Sequence, residues 1–161
     1  MAVDMFIKID DIKGESVDKT HKGEIIVLAW SWGATQSGST HIGTGGGSGK
    51  VNVQDLSFTK YVDKSSTNLL QAVCNGKHFK AADLVVRKAG EHPLEYIKLH
   101  IEDIIVSSIS TGGSGGEDRL TENVTLNFGR FKIEYVAQKA DGSGEPGVHA
   151  GFDIQKNAPI G

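Results

Sequence analysis

Apolar and polar positions alternate with a period of two along most of this chain, which is the pattern of strands with one face in a core. Ile7 and Ile9 alternate with Phe6, Lys8 and Asp10, predicting a first strand that runs into a turn at Lys13-Gly14. From Glu24 to Trp32 the residues Ile26, Leu28, Trp30 and Trp32 share one phase, and Ile25, Val27, Ala29 and Ser31 share the other. Neither phase carries a charge, so this strand is expected to be covered on both faces, by a second layer or by another molecule. Val51 and Val53 sit in one phase and Leu56 and Phe58 in the other, predicting a bulge near Gln54-Asp55. A second phase change separates Val124, Leu126 and Phe128 from Phe131, Ile133 and Tyr135. It places a bulge at Gly129-Arg130 that would bend one long strand into two sheets, with Arg130, Lys132 and Glu134 on a solvated face. Ile101 to Ile109 reads as another strand. Ala82, Leu84 and Val86 read as a strand too, although Asp83 and Arg87 at i, i+4 also suit a helix.

One segment has helical spacing. Leu69, Leu70, Val73 and Cys74 fall at i, i+1, i+4 and i+5, Ser65 and Ser66 are available as N-caps, and Asn75-Gly76 supplies a left-handed stop. One helix with seven or eight strands predicts a mainly β fold: a two-sheet β-barrel or sandwich carrying a single α-helix. The 161 residues are expected to form one domain.

Composition changes the picture mainly through glycine. The 21 glycines are about 13% of the chain against a usual ~7%, and they cluster. One cluster spans Gly38 to Gly49, a second Thr111 to Arg119, and a looser third includes Gly142, Gly144 and Gly147. Loops of that length without structure of their own are commonly functional or disordered. Seventeen basic against twenty acidic residues leave a formal charge of −3, which argues against nucleic acid or anionic lipid as a partner. The acidic N-terminal stretch does not read as a signal peptide, and the longest apolar run, Ile25 to Trp30, is too short to span a bilayer. Synthesis in the cytoplasm is therefore expected, and the sequon at Asn123-Val124-Thr125 is set aside.

Candidate chemistry is thin. Gly112 to Gly116 matches G-x-S-x-G around Ser114, but a nucleophile elbow needs a following helix, and Leu120 to Phe128 alternates as a strand. The first glycine cluster holds neither G-x-G-x-x-G nor a P-loop, since Gly49-Lys50 is followed by Val51. His21, His41, His78, His92, His100 and His149 form no metal-ligand spacing, and the single Cys74 can form no internal disulfide. The histidines are expected as dispersed surface residues, and Cys74 as a packed thiol on the helix stripe. The neighbouring carboxylates Asp10-Asp11, Glu102-Asp103 and Glu117-Asp118 would point to opposite faces of a strand, which makes poor acid–base pairs. Trp30 and Trp32 suit a core pair better than a base-stacking platform. No enzyme, metal or cofactor is indicated.

Four stretches carry a family resemblance: FIKIDDIKGES at Phe6 to Ser16, EIIVLAWSWGATQSG at Glu24 to Gly38, KVNVQDLSFTKYVDKS at Lys50 to Ser65, and SSISTGGSGGEDRLTENVTLNF at Ser107 to Phe128. In order and over nearly the whole chain, they resemble the Hcp family, the tube protein of bacterial type VI secretion. The segment beyond Gln138 matches less distinctively. The resemblance implies a β-barrel with one helix that assembles as a homohexameric ring. It further implies rings that stack into a tube inside a contractile sheath, a VgrG-type spike at the tip, export without a signal peptide, and small effector proteins held in the lumen. Longer members carry a toxic enzyme domain after the tube unit, for which a chain ending at Gly161 leaves no room. By resemblance Ser31, Ser114 and Gly115 are expected towards the lumen. Ile42, Gly43, Thr44, Gly45, Gly46 and Gly47 are expected in a loop that reaches a neighbouring subunit or ring. Glu117, Asp118 and Arg119 are expected either at a subunit contact or in a self-satisfied turn. The alternative function is a β-sandwich ligand-binding module of lectin type, and an esterase using Ser114 ranks third.

Overall fold

The computed structural model describes residues 2–38 and 50–161. The predicted contact loop Ile42 to Gly47 lies outside them. In chain order the elements are β1 (Val3–Ile9), β2 (Ile25–Ser31), β3 (Ala34–Thr35), β4 (Asn52–Val53), β5 (Leu56–Tyr61), α1 (Ser65–Asn75) and β6 (His78–Lys88). They continue with β7 (Leu94–Thr111), β8 (Thr121–Asn127), β9 (Arg130–Tyr135), β10 (Val148–Asp153) and β11 (Ala158–Pro159). The mainly β fold with one helix is as the alternation predicts, and 82–88 is strand rather than helix.

Six strands close a barrel, because β7 pairs with β6 on one side and with β8 on the other, in the order β7-β6-β1-β2-β5-β8. Closure removes the open edges that such a strand-rich sequence otherwise exposes. The 18-residue β7 makes this possible by serving two sheets: Ile97–Glu102 pair with β9, and Ile105–Thr111 pair with β8. Asp103 separates the two halves with φ of 58°, a left-handed conformation that interrupts the pleat and bends the strand. The phase change at Gly129-Arg130 is a break between β8 and β9, so that β8 closes the barrel while β9, β10 and β11 branch away from it. Gln54-Asp55 is likewise a break, with β4 pairing with β3 and β5 pairing with β2.

The core is Ile7, Ile9, Ile25, Val27, Leu56, Phe58, Leu84, Leu99, Ile101, Ile104, Val124 and Leu126, closed at one side by Leu69 and Ala72 of α1. Strand β2 departs from the single phase expected of it. Its register slips between Val27 and Ala29, so Ile25 and Val27 face inward before the slip and Trp30 packs on the core after it. Both tryptophans are half-buried and pack against the core, though not on each other; Trp32 meets Phe131 edge-on at 4.8 Å between centroids.

The helix lies where its spacing predicts, but its inward stripe is Ser65, Leu69 and Ala72, while Leu70 and Cys74 are exposed. Cys74 is thus a surface thiol rather than a packed one. Neither serine is the N-cap. Asp63 accepts the Ser65 N–H at 2.8 Å and the Asp63 N–H is donated to Ser66 Oγ at 3.0 Å, a reciprocal closure that begins two residues earlier than expected. The C-terminal stop at Gly76, φ 67°, is as predicted.

Candidate functional site: a neutral hydroxyl face

The half of the barrel made by β2, β5, β8 and the end of β7 turns its side chains alternately in and out. Leu56, Phe58, Val124 and Leu126 point into the core, so Ser57, Thr59, Asn123 and Thr125 must point out. The pairing aligns these outward residues into two rows across four strands. One row is Ser31, Ser57, Thr125 and Ser108; the next is Ala29, Thr59, Asn123 and Ser110. All eight side chains are small or uncharged polar groups, although sheet faces open to solvent usually carry charge.

The rows are tied by hydrogen bonds between side chains. Thr59 Oγ1 donates to Asn123 Oδ1 at 2.7 Å, and the hydroxyls of Ser107 and Ser108 each lie 2.6 Å from Thr125 Oγ1. At the margin, Asp55 receives the Ser107 hydroxyl at 2.7 Å and the Asn127 amide at 2.9 Å. These hydroxyls bond to one another, to the Asn123 amide oxygen and, through Ser107, to the Asp55 carboxylate, and no histidine or lysine is among their partners. What the face can do is slide past or hydrogen-bond a protein surface with little regard to its charge.

Of the residues anticipated from sequence, Ser31 lies on this face. Ser114 and Gly115 do not share its rows: they sit in the exposed β7–β8 loop, beyond the Thr111–Glu122 pair. Ser114 caps a local turn, accepting the Glu117 N–H through its carbonyl at 3.2 Å. Arg119 lays its guanidinium 3.6 Å from the Tyr61 ring centroid, whereas Glu117 and Asp118 are exposed and form no ion pair among the described residues. Ser57, Thr59, Asn123, Thr125, Ser108 and Ser110 were not singled out from the sequence. The signal was present, since each core phase in these strands leaves only Ser, Thr or Asn opposite its central positions.

Two charged assemblies hold the rest of the surface. His21 is buried rather than dispersed: it stacks on Phe6 at 4.6 Å, with Nδ1 2.9 Å from Glu24 and Nε2 2.6 Å from Glu95. Beside it Arg87 holds Asp18 at 2.7 Å and Asp4 at 3.1 Å, which keeps the Asp18 carboxyl well below its ordinary value through the Arg87 hydrogen bond. These contacts fasten residues 18–24 over Phe6. The second assembly runs Asp83–His100–Glu102–Arg130 at 2.7, 3.1 and 2.6 Å. Partial burial opposes a charge on His100, but the bonds to Asp83 and Glu102 outweigh it and raise the imidazole above its ordinary 6.5. Glu102 and Asp103 both reach Arg130, the latter at 3.2 Å, and so do not point to opposite faces. The positive φ of Asp103 breaks the alternation on which that expectation rested.

Fold and site together define a six-stranded β-barrel protein with one helix and a neutral, hydroxyl-lined sheet. The family described as "type VI secretion system effector, Hcp" matches residues 6–135. Protein hcp1 of Pseudomonas aeruginosa is 63% identical over 159 residues, 98% of each chain. Among solved structures, one described as a type six secretion system protein superposes with a TM-score of 0.93 at 30% identity, over 99% of this chain and 100% of that one. Hcp1 from Salmonella typhimurium superposes with 0.81 at 39% identity, over 99% and 100%. The chain belongs to the Hcp family of the type VI secretion system.

Proposed function

We propose that this chain is the structural subunit of a type VI secretion tube, acting by geometry rather than by catalysis. Six copies close head to tail into a ring, rings stack axially, and the tube is expelled by a contractile sheath behind a VgrG-type spike. The subunit is made in the bacterial cytoplasm and leaves through the apparatus itself, without a signal peptide, cofactor or metal. The neutral hydroxyl face carries the proposal: a four-strand face whose outward side chains are polar but uncharged stays wetted without favouring either sign of charge, which suits the lining of a channel. On this reading Ser31 and its row mates face the lumen, where small effector proteins are held before export. Ser114 and Gly115 lie off those rows, so their placement at the lumen rests on the loop's exposure at one end of the same sheet.

Light scattering on a sizing column tests the assembly. A species near 103 kDa, about six times the 17.2 kDa chain, is expected, with a central hole by negative-stain imaging. A species near 17 kDa at micromolar concentration would overturn the ring and bring forward a lectin-like binding module.

A further inference from the structure

We infer that Glu117 and Asp118 of one copy seat against Lys132 and Lys156 of another, as a charged head-to-tail contact of the assembly; this rests on the ring reading above. The receiving surface is a cavity of about 440 Å³ where β9, β10 and β11 branch from the barrel. Its apolar part is Phe131, Ala158, Pro159 and Ile160. Most of its charges are already matched within the chain. Arg130 is held by Glu102 and Asp103, His100 lies between Asp83 and Glu102, and the buried Asp153 accepts the Lys156 backbone N–H at 2.9 Å beside Arg130. That leaves the Lys132 and Lys156 ammonium groups, exposed and without an ion pair among the described residues, beside an apolar floor.

The counterpart is the β7–β8 loop. Its base is anchored, by Arg119 on Tyr61 and by the Val62 N–H donated to the Leu120 carbonyl at 2.9 Å. Its tip stands in open space: a Cβ added at Gly112 or Gly115 would meet nothing within 4 Å. Anchored base and free tip present the two carboxylates as a small, unshielded acidic knob. The acidic pair of half-buried Asp10 and exposed Asp11 shares its concavity with Lys8, Lys13 and Lys22. The knob does not reach its own chain's groove: His100 at the groove and Thr111 at the loop lie on opposite sides of the Asp103 bend in β7. Two complementary surfaces at different places on one chain form a heterologous contact, the kind that closes rings or extends stacks.

Charge reversal on the full chain tests this. Glu117→Lys with Asp118→Lys, and separately Lys132→Glu with Lys156→Glu, should each raise the concentration for half-assembly about tenfold or more, because like charges then face each other. Combining all four reversals should restore assembly to within about threefold of the parent. All four positions are exposed, so an unchanged thermal midpoint checks that each variant folds. Loss and rescue of the species near 103 kDa places the contact within a ring; loss and rescue of larger stacks alone places it between rings. Either result carries the inference. Assembly indifferent to both reversals, or loss without rescue, overturns it while the ring reading stands. A parent chain that stays near 17 kDa overturns both.

Discussion

Lys60 and Glu122 face each other across β5 and β8 inside the barrel, Nζ 2.5 Å from Oε1, with neither side chain measurably open to solvent. The ammonium also reaches Asp63 at 3.0 Å, the Tyr61 carbonyl at 2.8 Å and Ser66 Oγ at 3.3 Å. The pair thus ties the end of the barrel to the first turn of α1. Burying two ions is costly, and it is sustained here because each charge is met by several partners.

Removing one partner should therefore be far worse than removing both. Lys60→Met is expected to lower stability by about 3–5 kcal/mol, since it leaves the buried Glu122 carboxylate without its cation and takes one partner from the half-buried Asp63. At this chain length that is a fall of roughly 10 °C in Tm. Adding Glu122→Leu should recover part of the loss. Thermal unfolding followed by circular dichroism checks both, and a cost for Lys60→Met below about 1 kcal/mol would show that the cluster is not structural.

The lumen assignment separates folding from function. Ser31 projects outward and is exposed, so Ser31→Trp should change stability by no more than about 0.5 kcal/mol. The same bulk placed in the channel should reduce co-purification of small effector proteins with the assembled species. Undiminished cargo with the ring intact would remove Ser31 from the lumen.

His100 gives stability a dependence on pH of definite sign. Its folded-state pKa lies above the ordinary 6.5, so the folded chain holds the proton more tightly than the unfolded one. The bonds to Asp83 and Glu102 then contribute fully below 6.5, and that contribution is lost as pH rises through the raised value. The gap in Tm between the parent and His100→Gln should be widest below the ordinary 6.5 and should narrow as pH rises above it. A gap that grows with pH would contradict the assignment.

Gly14 lies where a side chain has nowhere to go. A Cβ there would stand 2.5 Å from the Glu24 carbonyl oxygen and 2.7 Å from Ile25 Cα, both backbone atoms of the facing segment. Gly14→Ala should therefore push the segments apart, weaken the Gly14 N–H bond to the Gly23 carbonyl and lower stability by about 1–3 kcal/mol in urea denaturation. An unchanged urea midpoint would mean that the two segments can separate freely.

Much of the fold can be read along the chain because period and turn chemistry are local. Alternation located β1, β2, β5, β8, β9 and parts of β6 and β7, though not β3, β10, β11 or the first half of β7; Gly76 marked the end of the helix, and the phase changes at Gln54-Asp55 and Gly129-Arg130, read as bulges, are the points where pairing partners change. Even the buried ion pair leaves a trace: Lys60 continues the inward phase of Leu56 and Phe58, and Glu122 that of Val124 and Leu126. Other features leave none. Both phases of residues 25–32 are uncharged, so nothing in them marks the slip after Val27 that turns Trp30 inward.

What the sequence alone determined is most of the barrel strands, the one helix, which loops are glycine-rich, and the Hcp resemblance. Only the tertiary structure decided that Glu95 comes to His21 across 74 positions, that Asp103 kinks β7 so that one strand serves two sheets, and that Ser31, Ser57, Thr125 and Ser108 form one row. Such features depend on pairings between residues remote in the chain. Local alternation says that a side chain points out, but not what stands beside it when it does.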